Sequence, residues 1–234
     1  MKTAARMLLV SVLLPAGSCS RREAPVSTRC PADGAIVLTD SLGGEVRLPG
    51  PARRIVSLAP SNTEILFAIG AGDRLIGRDT FSDYPPKALQ VRDVGNAHPR
   101  VNAEVIVALE PELVLAARLT GPDDIQSLRG LGLSVFTTSA VASLEDIYKD
   151  ILSLGQLVGA SPVALELVTA LSARVSKVVE RTARTATRPK VFYELDATDP
   201  SKPWTPGRGS FIARLIELAG GRKTRSAPRA TSEA

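Results

Sequence analysis

Residues 54–86, RIVSLAPSNTEILFAIGAGDRLIGRDTFSDYPP, decide how the rest of this chain is read. Ile55 to Leu58 is a short apolar run of the length that forms a buried strand. Pro60 stops it, and Ser61 with Glu64 makes an S-x-x-E pattern, which predicts a capping box and an immediate helix. That helix is expected to bury Ile65, Leu66, Ala68 and Ile69, with Gly70 suited to its C-terminal turn. Leu75 to Gly77 is a second short strand. It leads into Asp79–Pro86, a loop that carries Phe81, Asp83, Tyr84 and two prolines. A strand ending in a tight turn leaves the N–H groups of a helix start beside a stiff aromatic loop. Such a rim is a place to hold a ligand.

Upstream, Ala35–Thr39 and Glu45–Leu48 are β-like runs around Asp40–Gly44, a hairpin signature. Downstream, Asn102 caps a helix through Leu109 and Pro111 ends it; Leu113–Ala116 is the next strand. Gly121–Leu131 reads as a helix and Val135–Thr137 as a strand. Ser143 then opens a helix to Gly159 with Ile147, Ile151, Leu154 and Val158 on one face. Helices alternating with short apolar strands predict a parallel sheet flanked by helices, an N-terminal α/β lobe over 34–160.

Ser161-Pro162 starts the longest helix, with Ser161 as cap, and the backbone helix is assigned to 161–187. Leu165, Val168, Leu171, Val175 and Val178 recur at helical spacing. Its span of roughly 35 Å suits a strut between two lobes. Residues 188–221 begin a C-terminal α/β lobe: a strand at Val191–Leu195, Trp204 in a Pro-rich loop, Gly207-Arg-Gly-Ser, and a helix at Phe211–Ala219. The expected fold class is α/β, with two Rossmann-like lobes joined by one long helix and the second lobe incomplete. Residues 222–234, RKTRSAPRATSEA, read as a disordered basic tail.

The net charge of +5 and pI near 9.5 would suit a nucleic-acid partner. The charge sits at the ends, however. Residues 1–24 and 222–234 each hold four basic residues against one acid, which leaves the central part at −1. No nucleic-acid surface is expected on the folded body.

The single histidine, His98, excludes multi-His zinc sites, and any Ser-His-Asp arrangement would have to use it. Residues 1–19 read as an export signal, with Lys2 and Arg6 before the apolar run Met7–Leu14. Pro-Ala-Gly-Ser-Cys resembles a lipoprotein cleavage site with Cys19 as the lipidated residue; an ordinary secretory signal is the alternative. Residues 20–33 read as a flexible tether, and Cys30 in it as a leftover thiol.

Enzyme signatures fail on spacing. Gly70-Ala-Gly72 with Gly77 follows a helix rather than a strand, and Gly207-Arg-Gly-Ser lacks the lysine of a phosphate loop. Asp123-Asp124 and the pair Asp196 and Asp199 have no His or Lys beside them and read as a helix start and a turn. No catalysis and no cofactor are expected.

The motifs RIVSLAPSNTEILFAIG, SDYPP, VNAEVIVALEPELVLA, the strut helix and WTPGRGSFIARLIELAGG occur in order between Arg53 and Gly221. Together they resemble the helical-backbone (class III) substrate-binding proteins of ABC importers, and most of all the vitamin B12-binding members. The resemblance implies two α/β lobes with a ligand clamped between them and little hinge closure. It also implies delivery to a membrane permease and no chemistry on the ligand. In those members an aromatic before SDYPP lies against the corrin ring, and Phe81 holds that position. Where they usually have a tryptophan, this chain has Asn96-Ala97-His98-Pro99. That departure implies either a different corrinoid or His98 serving as a flat ring or as an axial ligand to cobalt. Glu104 and Glu217 match the carboxylates that meet arginines of the permease. Family members continue past Ala219-Gly-Gly with more strands and helices, so lobe two is expected to lack core and the chain could be a non-binding remnant.

Most candidates have a plainer reading. Phe81 and Tyr84 are ligand contacts or packed aromatics, and His98 is otherwise an exposed loop residue; Trp204, between Pro203 and Thr205 ahead of a glycine turn, is read as facing the cleft. Ser61 and Asn62 are helix caps first, and donors to a bound polar group second. Glu104 and Glu217 are otherwise solvated helix carboxylates. The leading ligand is a corrinoid. A ferric siderophore or haem, met by Arg78, Arg118 or Arg208, is the alternative, and an extracytoplasmic enzyme is a third class.

Overall fold

A computed structural model of the chain describes residues 34–199 and 202–224, all within one compact unit spanning residues 32–234. The expected export signal with Cys19, the tether with Cys30 and residues 225–234 of the tail lie outside the described residues.

Strands β1 (Ile36–Thr39) and β2 (Glu45–Leu48) form the expected antiparallel hairpin. The main sheet holds β3 (Ile55–Ser57), β4 (Leu75–Arg78), β5 (Leu113–Ala116) and β6 (Val135–Thr137), all parallel, in the order β4-β3-β5-β6. Every residue of β3, β5 and β6 is buried, as a parallel sheet covered on both faces requires. One face packs Ile55, Leu113, Leu115 and Phe136 against α1 (Pro60–Ala68), α4 (Leu144–Leu157) and the hairpin. The other packs Val56, Val114 and Val135 against α2 (Ala103–Ala108) and α3 (Pro122–Gly130).

Helix α1 starts without the expected capping box. Its N-cap is Ala59, in extended backbone, with no side-chain cap bond. Pro60 takes the first helical position, where its fixed φ suits the helix and its missing N–H is no loss. Ser61 therefore falls inside the helix and is exposed. Ala68 is also exposed, and the buried face includes Asn62 and Thr63 beside Leu66 and Ile69. The C-terminus is as read: Gly70 has φ +76°, and Ala71 N–H reaches back to Leu66 O at 2.7 Å. Asn102 caps α2 by accepting from Val105 N–H at 3.2 Å, and Ser143 with Asp146 closes a full capping box on α4.

The long helix α5 (Ser161–Ala183) forms, with three corrections. It ends at Ala183 rather than near residue 187. Its N-cap is Ala160 with no side-chain bond, so Ser161 is the first helical residue and not the cap. Its packed stripe runs through Ala164, Leu167, Val168 and Leu171, while Leu165 and Val178 are exposed. Tertiary contact sets that rotation: a Cβ on Gly155 of α4 would sit 2.4 Å from Ala164 Cβ. The two helices therefore meet at a Gly–Ala seam that fixes which face of α5 turns inward.

Beyond α5 the expected strand Val191–Leu195 contracts to β7 (Lys190–Val191). It is followed by a bridge between Asp196 and Trp204 and by α6 (Phe211–Leu218), capped by Ser210. Arg222–Lys223, read as the start of the disordered tail, forms β8 parallel to β7. Arg222 N–H donates to Pro189 O at 2.8 Å and Thr224 N–H to Val191 O at 2.9 Å. Sheet pairing uses only backbone groups, so polar composition did not prevent it.

Candidate binding rim

The carboxyl ends of all four parallel strands open on one edge. Strand order reverses direction at β3, with β4 on one side and β5 on the other, and the crevice at such a switch point is where open α/β sheets take ligands. Asn62, near the start of α1, lies at this switch point. It is 0% exposed, and its Nδ2 donates to Ala116 O at 3.0 Å, so its partner here is the end of β5. Thr138 N–H donates to the same carbonyl at 3.0 Å. Neither Ser61 nor Asn62 acts as a helix cap.

After β4, residues 79–84 carry Phe81 and Tyr84, which are 66% and 63% exposed. The loop beneath them is tied down. Phe81 N–H donates to Asp79 Oδ2 at 3.2 Å, Ser82 Oγ bonds Asp79 Oδ1, and Thr63 Oγ1 lies 2.9 Å from Ser82 Oγ. Two large apolar rings thus stand in solvent on a loop fixed from below, the arrangement of a binding edge rather than of a core. Thr80 N–H donates to Gly95 O at 3.3 Å, which draws the 93–98 segment alongside. Ala97 is buried against the α2–α3 face, and the next residue, His98, is exposed. Arg100 pairs with Asp124 of α3 at 3.7 Å and continues that segment across the edge.

The hairpin tip joins the far end. Ser41 N–H donates to Thr137 O at 3.0 Å, and its Oγ donates to Thr138 O at 2.9 Å. Buried Asp40 anchors the turn, accepting from the N–H groups of Leu42 and Gly44 and from Thr137 N–H while pairing with Arg129. A cavity of ≈ 260 Å³ lies there, lined in part by Leu42, Arg118, Pro122 and Ile125. Leu42, Leu119 and Val141 are exposed on this edge and escaped the sequence reading. Their signal was a bulky apolar residue just after a strand or in a hairpin turn, outside any periodic pattern.

The remaining candidates stand elsewhere. Trp204, 73% exposed, is held in a short ladder in which its N–H donates to Asp196 O at 2.7 Å and Leu195 N–H donates to its carbonyl at 2.9 Å. Glu104 is exposed in the first turn of α2, and Glu217 is exposed on α6, paired with Arg214 at 3.6 Å.

Burial pushes the Asp79 carboxyl above the ordinary carboxylate value, against the lowering effect of its Ser82 and Phe81 bonds. Burial likewise raises Asp150, which accepts from both Ser139 N–H and Ser139 Oγ. The exposed Asp146 and Asp196 are lowered, by Ala142 N–H and Ser143 and by the Thr198 hydroxyl and N–H respectively. Among the described residues no group of three or more His, Cys, Asp or Glu side chains is placed to hold a metal ion.

A parallel sheet with exposed apolar groups along its carboxyl edge, followed by a long helix and a second parallel pair, defines an α/β fold with a candidate binding edge. Residues 55–233 match the family profile described as periplasmic binding protein, and the chain belongs to that family. It is 34% identical over 176 residues to a vitamin B12-binding protein of Vibrio cholerae, covering 74% of this chain and 61% of that one. It is 31% identical over 189 residues to an uncharacterized ABC transporter substrate-binding lipoprotein of Bacillus subtilis, covering 78% and 59%.

Among solved structures, the periplasmic vitamin B12 binding protein BtuF of Vibrio cholerae superposes with a TM-score of 0.64 at 29% identity, over 74% of this chain and 66% of that one. The periplasmic heme-binding protein RhuT from Roseiflexus sp. RS-1 gives 0.65 at 29%, over 73% and 65%. The chain spans about three fifths of the length of these curated relatives.

Proposed function

We propose that this chain is the extracytoplasmic capture component of an ABC importer, and that it holds a corrinoid without altering it. The observation that carries the reading is the pair Phe81 and Tyr84, exposed on a loop fixed from below at the carboxyl edge of a rigid parallel sheet. Flat apolar faces supply contact area to a large planar ligand at little entropic cost, because the loop is already ordered. Trp204 presents a further ring from the second lobe, and His98 stands beside the first as a stacking ring or a cobalt ligand. Likeness to a vitamin B12-binding protein over three quarters of this chain supports the corrinoid. Glu104 and Glu217 meet arginines of the permease, one per lobe. Cys19 carries the lipid anchor, which the likeness to a protein named a lipoprotein supports.

Haem is the second reading. The likeness to a haem-binding structure and the exposed guanidinium of Arg118 beside the rim cavity favour it, since an Arg can meet an acidic substituent. Absorbance and calorimetric titration with cobalamin, cobinamide, haem and a ferric siderophore separates them. Tight binding of a corrinoid, recovered unchanged, is expected, with a spectral shift that His98→Ala abolishes if the imidazole reaches cobalt. Saturation by haem alone transfers the site to the second reading, and a chemically altered ligand removes both.

A further inference from the structure

Behind the aromatic loop, one carboxyl and three hydroxyls form a continuous chain of oxygen atoms. Asp79 is 2% exposed, and Ser57, Thr63 and Ser82 are fully buried. Asp79 Oδ1 is in hydrogen-bond contact with Ser82 Oγ, and Ser82 Oγ is 2.9 Å from Thr63 Oγ1. Thr63 Oγ1 is 2.8 Å from Ser57 Oγ, which is 3.0 Å from the Ala59 carbonyl oxygen. Each of these four contacts needs one proton. The three hydroxyls hold one each, and the carbonyl holds none. With Asp79 ionised, one contact becomes two lone pairs facing each other where water does not reach, a costly arrangement. With Asp79 protonated, the count closes. Its Oδ1–H donates to Ser82, Ser82 to Thr63, Thr63 to Ser57 and Ser57 to Ala59 O, while Oδ2 still accepts from Phe81 N–H.

We infer that Asp79 is the positioning residue of the aromatic rim and works as a neutral carboxylic acid, latching the Phe81–Tyr84 loop to α1 and to the end of β3. Of the charges around it, Arg78 favours the ionised form and Asp93 opposes it, and burial outweighs both. Arg78, on β4, directs its guanidinium to the carbonyls of Ala88, Asp79 and Thr80 at 3.0, 2.9 and 3.2 Å. It is also balanced by Asp93 at 3.6 Å, whose own charge opposes a second anion nearby. From α1 and β3 the carboxyl chain meets only Thr63 and Ser57. Burial raises the Asp79 carboxyl in agreement with the proton count. The folded chain therefore holds a proton that the unfolded chain releases near the ordinary value. The latch is complete in acid and is lost as pH rises through the folded value. That Phe81 and Tyr84 then lose their grip on a ligand rests on the proposed function; the latch itself does not.

Asp79→Asn tests this directly, because an amide donates to Ser82 and accepts from Phe81 N–H as the neutral acid does. An infrared difference spectrum of wild type against Asp79→Asn at neutral pH is expected to contain the carbonyl stretch of a protonated carboxylic acid. Exchange of the Phe81 amide, corrected for intrinsic rate, is expected to rise about tenfold in wild type as pH rises through the folded value of Asp79. It stays flat in Asp79→Asn. Only carboxylate bands at neutral pH, or Phe81 exchange with the same pH profile in both proteins, overturns the inference. Both readings use the unliganded full chain, so a failure of cobalamin to bind leaves them intact and counts against the ligand alone.

Discussion

The two parallel sheets among the described residues are built on the same plan and held by different means. In the first, four parallel strands are sandwiched between helices, and Ile55, Leu113 and Leu115 have no exposed surface. In the second, two strands of two residues each lie beside α6, where Ala213 is the buried apolar side chain and Leu215 is still 36% exposed. The first is stabilised by area removed from water. The second is held by backbone hydrogen bonds and by its seat on α5, where the Thr182 hydroxyl lies 3.1 Å from Leu218 O. The candidate rim with Phe81 and Tyr84 belongs to the first sheet, the more deeply buried of the two.

Unfolding by denaturant sharpens the contrast most. Leu115→Ala leaves a cavity between β5 and the α1–α4 layer and is expected to cost about 2–5 kcal/mol of stability. Leu215→Ala should cost less than about 1 kcal/mol. Equal losses would mean that the second sheet carries a core of its own.

The seam between the two regions comes next. Gly155→Ala forces a methyl against Ala164 and is expected to cost about 1–3 kcal/mol, measured by denaturant unfolding. An unchanged midpoint would place the anchorage of α5 elsewhere.

Phe81→Ala and Trp204→Ala probe the two proposed ligand contacts separately. Because both rings are exposed, each should leave stability within about 0.5 kcal/mol of wild type. Each should weaken corrinoid binding by about 1–2 kcal/mol, measured by calorimetry. A loss at Phe81 alone would confine the ligand to the first rim.

The smallest expected effect is on the acid limb. The Asp146 carboxyl, lowered first by Ala142 N–H and then by Ser143, stabilises the start of α4 above its unfolded value of 3.8. That contribution fades as pH falls through the lower folded value. The melting-temperature deficit of Asp146→Ala should therefore narrow in acid, whereas Asp79, shifted the other way, weakens the fold as pH rises.

Much of the first sheet was legible because its signals are local. Leu113–Ala116 and Val135–Thr137 are apolar runs bounded by turn residues, and both strands occupy those limits. What escaped depends on partners distant in sequence. The rotation of α5 follows from Gly155 meeting Ala164, which no spacing within α5 reveals. β8 exists because β7 offers it backbone partners. Ser61 was read as a cap from its side chain, but Pro60 had already taken the first helical position. Phe81 and Tyr84 were legible as an aromatic loop; Leu42, Leu119 and Val141 joined the rim only once hairpin and strand ends were placed side by side.

Hydrogen exchange on the full chain with and without cobalamin tests most directly whether one planar ligand bridges both regions. Slowed exchange is expected at the Phe81 and Ser82 amides on the first rim and, in the same complex, at the Leu195 and Trp204 amides on the second. Protection restricted to one side, or no change at saturating cobalamin, would contradict the account.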